Sequence, residues 1–165
     1  MVSVGILTIS DKGSRGERED RSGPVIREIM EQAGSTVVKY GIVPDERDAI
    51  AGKLMEWADG GGVDVVLTTG GTGLAKRDIT PEATLEVIDR NVPGFTEAMR
   101  AASLLKTPMA VLSRAVSGLR GECLIINLPG SPKAVKECLE AILPAIPHGV
   151  EIIKGEVTEH TTGMP

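Results

Sequence analysis

The run Val2 to Ile9 (VSVGILTI) is short, apolar and β-branched, and turn residues follow it, which predicts a buried strand. A charged, glycine-containing loop spans Asp11 to Gly16. From about Pro24 to Ala33, Val25, Ile26, Ile29, Met30 and Ala33 fall on one helical face, and Gly34 is a natural stop. Thr36 to Val43 predicts a second strand. Pro44-Asp45 closes it and opens a helix with Ile50, Leu54, Trp57 and Ala58 on its apolar face, ended by Asp59 to Gly62. Val63 to Thr68 is a third, almost wholly apolar strand, of the kind covered on both faces of a sheet. Thr80-Pro81 reads as a cap and first-turn proline for a helix through Ile88, and Phe95 to Leu105 as another helix. Met109 to Ala115 and Glu122 to Asn127 read as strands forming an antiparallel edge hairpin. Ser131-Pro132 repeats the cap-plus-proline signature before a helix that turns Val135, Cys138, Leu139 and Ile142 inward. Pro144 and Pro147 kink or interrupt that helix.

Three strand–helix alternations predict an α/β fold: a three-layer α/β/α sandwich with a mostly parallel sheet, helices on both faces and an antiparallel edge hairpin. Ligands of such sheets bind beyond the carboxyl ends of the strands, so the loops after Ile9, Val43, Thr68 and Asn127 are the site candidates. One domain over 1–155 and a polar, frayed tail over 156–165 are expected.

Composition narrows the function. The chain has 165 residues, net charge −5 and 2% aromatic residues, so a nucleic-acid partner is not expected. Cys123 and Cys138 form no CxxC pair and read as buried free thiols of a reducing compartment; His148 and His160 lie far from them, and no zinc spacing exists. No apolar run approaches a membrane span and the first residues lack a signal-peptide pattern, so the cytoplasm is the expected location.

The chemistry concentrates in Thr68-Thr69-Gly70-Gly71-Thr72-Gly73. Three glycines in four positions can expose backbone N–H groups as a nest for an anion such as phosphate; the plain alternative is a tight turn without a ligand. The loop matches neither a Walker A sequence nor GxGxxG. Asp78, five residues past Gly73, could share Mg²⁺ with phosphate oxygens or simply pair with Arg77 or Lys76. Asp45 reads as a helix N-cap or as a second carboxylate at the same sheet edge. Ser10 and Asp11 end the first strand; Asn127, Pro129, Gly130 and Ser131 end the last, with Ser131 able to cap a helix and to face a ligand. Arg114, after Ser113, reads as a phosphate-binding fork or a surface charge.

These segments, taken together, resemble the molybdopterin adenylyltransferase family, of the bacterial Mog type and similar to the gephyrin G domain. The resemblance is carried by GILTISD (Gly5–Asp11), EDRSG (Glu19–Gly23), VPDE (Val43–Glu46), TTGGTG (Thr68–Gly73), RDITPEAT (Arg77–Thr84), PGFTEAMR (Pro93–Arg100), LSRAVSGLRG (Leu112–Gly121) and INLPGSPKAVKECLE (Ile126–Glu140). They are collinear and cover nearly the whole chain. Leu74 departs from the family's usual residue without touching the loop backbone, and a fused second domain of the gephyrin kind is not expected.

The resemblance implies a homotrimer, Mg²⁺, and transfer of AMP from ATP to the terminal phosphate of molybdopterin with release of pyrophosphate. It implies that Asp45 and Asp78 are the two essential aspartates and metal ligands. It implies substrate contacts at Gly70, Gly71, Thr72, Gly73, Asn127, Pro129, Gly130 and Ser131, and a pterin wall that includes Ser113. Ser10 and Asp11 join the substrate-binding set from their strand end. Handover to a molybdate-insertion protein is a further expected partnership. The competing reading is a non-catalytic molybdopterin-binding or scaffold trimer of the same fold.

Overall fold

The computed structural model describes residues 1–157. Its single sheet has six strands: β1 Ser3–Ile9, β2 Thr36–Val43, β3 Val65–Thr69, β4 Arg90–Asn91, β5 Ser117–Arg120 and β6 Cys123–Leu128. They lie in the order β2-β1-β3-β6-β5-β4. The first four are mutually parallel, while β5 runs antiparallel to β6 and β4 antiparallel to β5. Helices α1 Asp11–Ser14, α2 Ser22–Gln32, α3 Arg47–Asp59, α4 Thr80–Val87, α5 Gly94–Leu104, α6 Pro132–Ile142 and α7 Ala145–Ile153 complete the described residues, with a 3₁₀ turn at Pro108–Leu112.

The strands alternate their apolar side chains between two cores, as the period of two requires. Val4, Ile6, Val65, Leu67, Leu124, Ile126 and Leu128 face the layer built by α2, α5, α6 and α7. Leu7, Ile9, Val66, Cys123 and Ile125 face α3 and α4. Trp57 of α3 reaches this second core, and its ring lies where a β-carbon at Gly5 would stand, 2.9 Å from Trp57 Cε3. The expected three layers are therefore present, with both cysteines buried and free.

Register puts the expected loops on one edge. Ile9 pairs with Val43, Thr8 with Thr69, and Thr69 with Leu128, so the carboxyl ends of β1, β2, β3 and β6 lie side by side.

Several local expectations are corrected. Met109 to Ala115 is not a strand. Thr107 Oγ1 accepts the Met109 amide and caps a 3₁₀ turn, which leaves Met109 and Val111 exposed. The antiparallel partner of β6 is instead Ser117–Arg120, in the stretch that the pattern reads as the connection; it joins β6 through Gly121, at φ 56°, and the two-residue β4 lies outside it at the edge of the sheet. Thr80 does not cap α4. It lies inside the helix, and its hydroxyl donates to the Gly70 carbonyl instead. Glu46, not Asp45, occupies the position before α3, without a side-chain cap bond. The loop after β1 contains the short α1, capped by Ser10 through the Gly13 amide. Pro144 separates α6 from α7, and Pro147 falls in the first turn of α7, where a helix tolerates it. Of the expected tail, only residues 156 and 157 are described; the rest, with His160, lies outside the described residues.

Candidate active site

The glycine loop leaves β3 in a conformation only glycine adopts easily: Gly70 has φ 101° and Gly71 φ 68°. Its carbonyls are pinned. Thr80 holds two of them, its hydroxyl donating to Gly70 O and its amide to Gly71 O. Arg114 holds the next two, its amide donating to Thr72 O at 2.9 Å and its Nε to Gly73 O at 2.8 Å. The amides of Gly71, Thr72 and Gly73 make no hydrogen bond to protein among the described residues. A loop with its acceptors spent and its donors unspent is polarised toward an anion.

Asn127 supports this loop from below. It is fully buried, its amide nitrogen donates to Thr68 Oγ1 and Thr84 Oγ1, and its oxygen accepts the Val116 amide. Thr69 Oγ1 adds a bond to Pro129 O at 2.6 Å, tying β3 to the turn after β6. Arg114 serves neither of the two roles open to it from sequence. Its guanidinium pairs with Glu82 and also donates to Asp78 O, so it braces the far end of the loop.

The two aspartates abut the same loop. A β-carbon added at Gly71 would stand 3.3 Å from Asp45 Oδ1, and one at Gly73 2.8 Å from Asp78 Oδ2. Each carboxylate accepts one amide, Asp45 from Asp11 at 2.9 Å and Asp78 from Ala75 at 3.1 Å. Neither has an ion-pair partner among the described residues. Arg77 pairs with neither and makes a bidentate pair with Asp11, at 2.6 and 2.8 Å. That pair holds the Asp11 carboxyl below its usual value. Burial pushes the Asp45 carboxyl above the usual aspartate value, against the Asp11 amide bond, and the charges of Asp11 and Asp78 add to the rise.

Two uncompensated carboxylates beside unspent amides suit a hard cation that shares its shell with phosphate oxygens. No group of three or more His, Cys, Asp or Glu forms a fuller cage among the described residues. The two carboxylates could hold a hard divalent cation that shares its shell with a phosphate ligand.

The raised Asp45 value has a testable consequence. The folded chain keeps this proton to higher pH than the unfolded chain. Stability from the neutral form is present below the unfolded value and lost as pH rises through the raised folded one. Asp45→Asn keeps the group neutral throughout. Its thermal midpoint should exceed wild type near pH 7, and the gap should close toward about pH 3, where both are neutral. Calorimetry across that range checks this; a gap that does not change with pH would show that the Asp45 charge costs nothing.

Two cavities flank the loop. The larger, about 660 Å³, is lined by Ser10, Gly70, Gly130 and Ser131 from the expected set. It also takes in Arg18, Asp20, Arg21 and Ser22, to which no role was given from sequence, although EDRSG was visible as a motif. Asp20 accepts from Thr8 Oγ1 and the Gly23 amide, and also binds the Tyr40 hydroxyl. Ser22 Oγ donates to Gly130 O at 2.7 Å. The N-termini of α2 and α6 therefore meet at this cavity, with two arginines beside them. The smaller cavity, about 290 Å³, is lined by Thr72, Gly73, Ser113 and Pro129, together with Met99, Arg100 and Cys138. Asp45 and Asp78 line neither cavity, and stand against the loop at Gly71 and Gly73.

An anion-directed glycine loop, with two carboxylates beside it, at the carboxyl edge of an α/β/α sheet defines the class. The chain belongs to the probable molybdopterin binding domain family, whose profile matches residues 5–148. More particular likenesses follow. The molybdopterin adenylyltransferase of Helicobacter pylori J99 is 49% identical over 93% of this chain and 89% of its own length. That of Escherichia coli K12 is 40% identical over 94% and 87%. Among solved structures, the molybdopterin biosynthesis enzyme MoaB of Thermus thermophilus is 55% identical, with TM-score 0.89 over 94% of this chain and 98% of that one. The tungsten cofactor synthesizing protein MoaB of Pyrococcus furiosus is 41% identical, with TM-score 0.82 over 94% and 96%.

Proposed function

We propose that this chain is a molybdopterin adenylyltransferase that moves AMP from ATP to the terminal phosphate of molybdopterin, with Mg²⁺, and releases pyrophosphate. The enzyme class and its place in molybdenum cofactor biosynthesis rest on relatives with that name at 49% and 40% identity over more than nine-tenths of the chain. The finer mechanism rests on one observation: a loop with spent carbonyls and unspent amides, flanked by two carboxylates without an ion-pair partner among the described residues.

In the reaction, a phosphate oxygen of the pterin forms a bond to the α-phosphorus of ATP as the bond from that phosphorus to the β-phosphate oxygen breaks. Both reactants are anions, so holding them in line and offsetting their charge is most of the work. The loop amides and the N-termini of α2 and α6 supply fixed donors. Arg18 and Arg21 add positive charge at the larger cavity. Asp45 and Asp78 are the residues that would hold Mg²⁺, whose charge would offset that of the triphosphate. No side-chain base is required, because the attacking phosphate is already ionised; the buried Cys123 thiol, pushed up to about 12 by burial, is suited to no such role.

The proposal includes a single domain over 1–155, a homotrimer, a cytoplasmic location and handover of the product to a molybdate-insertion protein. The exposed apolar side chains of Leu104, Leu105, Met109 and Val111, near one another in the chain, support the assembly. Among the described residues no helix is long and apolar enough to cross a membrane.

Pyrophosphate release with ATP and Mg²⁺ tests the activity. Release that depends strictly on added molybdopterin is expected. Binding of the pterin without release would favour the non-catalytic scaffold.

A further inference from the structure

The two candidate metal ligands are each reached through an arginine that does not touch their carboxylates. Arg77 grips Asp11 with two parallel bonds, Nε to Oδ2 at 2.6 Å and Nη2 to Oδ1 at 2.8 Å. Asp11 in turn exchanges two bonds with Asp45: its amide donates to Asp45 Oδ2 at 2.9 Å, and its Oδ1 accepts the Asp45 amide at 3.0 Å. Three loops, after β1, β2 and β3, are tied by this one chain of groups. It leaves Asp45 Oδ1 facing Gly71. Arg114, braced by Glu82, treats the segment around Asp78 in a parallel way, through backbone carbonyls.

The charges decide what the arrangement is for. An arginine this close to Asp45 would pair with it if left unpartnered, and would then compete with a cation for its oxygens. Asp11 takes up the Arg77 guanidinium in full fork geometry, the geometry that a carboxylate matches best. Asp45 keeps its own charge and one oxygen on the loop side.

On the reading of Asp45 as a metal ligand given above, we propose that Arg77 is a positioning residue for it, acting through Asp11. The Arg77–Asp11 pair fixes the Asp11 side chain, and the reciprocal Asp11–Asp45 bonds fix the Asp45 carboxylate. Arg77 contacts neither substrate.

The test uses the full chain. Arg77→Gln should lower kcat by about tenfold to a hundredfold, the usual cost of a small misplacement of reacting groups. It should weaken Mn²⁺ binding in the presence of ATP, read by electron paramagnetic resonance, and leave the KM for molybdopterin unchanged. Arg77→Lys keeps the charge but loses the fork, and should recover only part of both. Guanidinium ion added to Arg77→Ala should restore turnover and Mn²⁺ affinity, which no general loss of folding would allow. The Arg77 side chain is 61% exposed, so the thermal midpoint of these variants should stay at the wild-type value.

Wild-type kcat and Mn²⁺ affinity in Arg77→Gln would overturn the proposal. So would a raised KM for ATP with kcat unchanged, which would make Arg77 a direct substrate contact. Asp45→Asn, run alongside, separates the two layers of argument. If it keeps wild-type turnover, the reading of Asp45 as a metal ligand fails. If it is inactive while Arg77→Gln is normal, only the positioning role fails.

Discussion

Asp78→Ala should cut adenylyl transfer by about a thousandfold or more while leaving molybdopterin binding in place, because it removes charge from the loop without removing structure. The Asp78 carboxylate makes one hydrogen bond, from the amide of Ala75, at the surface. The carbonyl of Asp78, held by Arg114, is untouched by the substitution. The loop carbonyls stay pinned by Thr80 and Arg114, so the amide nest keeps its shape. Asp78→Asn sharpens the point. Its side-chain oxygen can still accept the Ala75 amide, so only the charge is lost, yet it should be as inactive as alanine. The paired measurements are initial rates of pyrophosphate release and calorimetric titration with molybdopterin. Turnover near the wild-type rate in either variant would remove Asp78 from the reaction.

Gly70→Ala should lower stability by about 3 kcal/mol or more, and the thermal midpoint by about 6–12 °C. Two costs combine. At φ 101° the residue sits where side chains are rarely tolerated, and its new β-carbon would strike the carbonyl oxygen of Ile9. That oxygen belongs to the end of β1, held between β2 and β3, and cannot step aside cheaply. Relief would come only from moving the loop, which also breaks the Thr80 bond to Gly70 O. Transfer activity should therefore fall with stability. Thermal unfolding followed by circular dichroism measures the effect, and a midpoint within a degree of wild type would show that the loop relaxes freely. Gly16 makes a useful control: its φ is also positive, but a β-carbon there meets nothing within 4 Å.

The two cases differ in what could be read beforehand. Gly70 was legible as part of a glycine-dense turn after an apolar strand, since such a turn needs positive φ at some position. Asp78 was legible only as a carboxylate near that turn, with a surface ion pair to Arg77 equally open. The structure turns Arg77 to Asp11, a residue 66 positions away, and so leaves Asp78 without an ion-pair partner among the described residues. Asp45 read more readily as a helix cap, yet Glu46 occupies the cap position and the Asp45 carboxylate faces Asp11 and Gly71. The most apolar part of the expected edge strand, Met109 to Leu112, proved to be a capped 3₁₀ turn, because a proline and a threonine outweighed its apolar pattern. The actual hairpin partner of β6, Ser117–Arg120, is too short and too polar for the pattern to register, and so is the two-residue edge strand Arg90–Asn91 beyond it.

The sequence by itself determined the layers, the parallel strands and the edge of the sheet where the candidate site lies, because these follow from periodicity and turn chemistry within short stretches of chain. It also marked the glycine loop as a place for an anion. Only the tertiary structure decided which carboxylates remain unpaired, which arginines hold backbone rather than ligand, and that Arg18, Arg21 and Ser22 join the larger cavity. Those outcomes depend on partners far apart in the chain, and a side chain's charge is spent or kept only when the fold has chosen its neighbour.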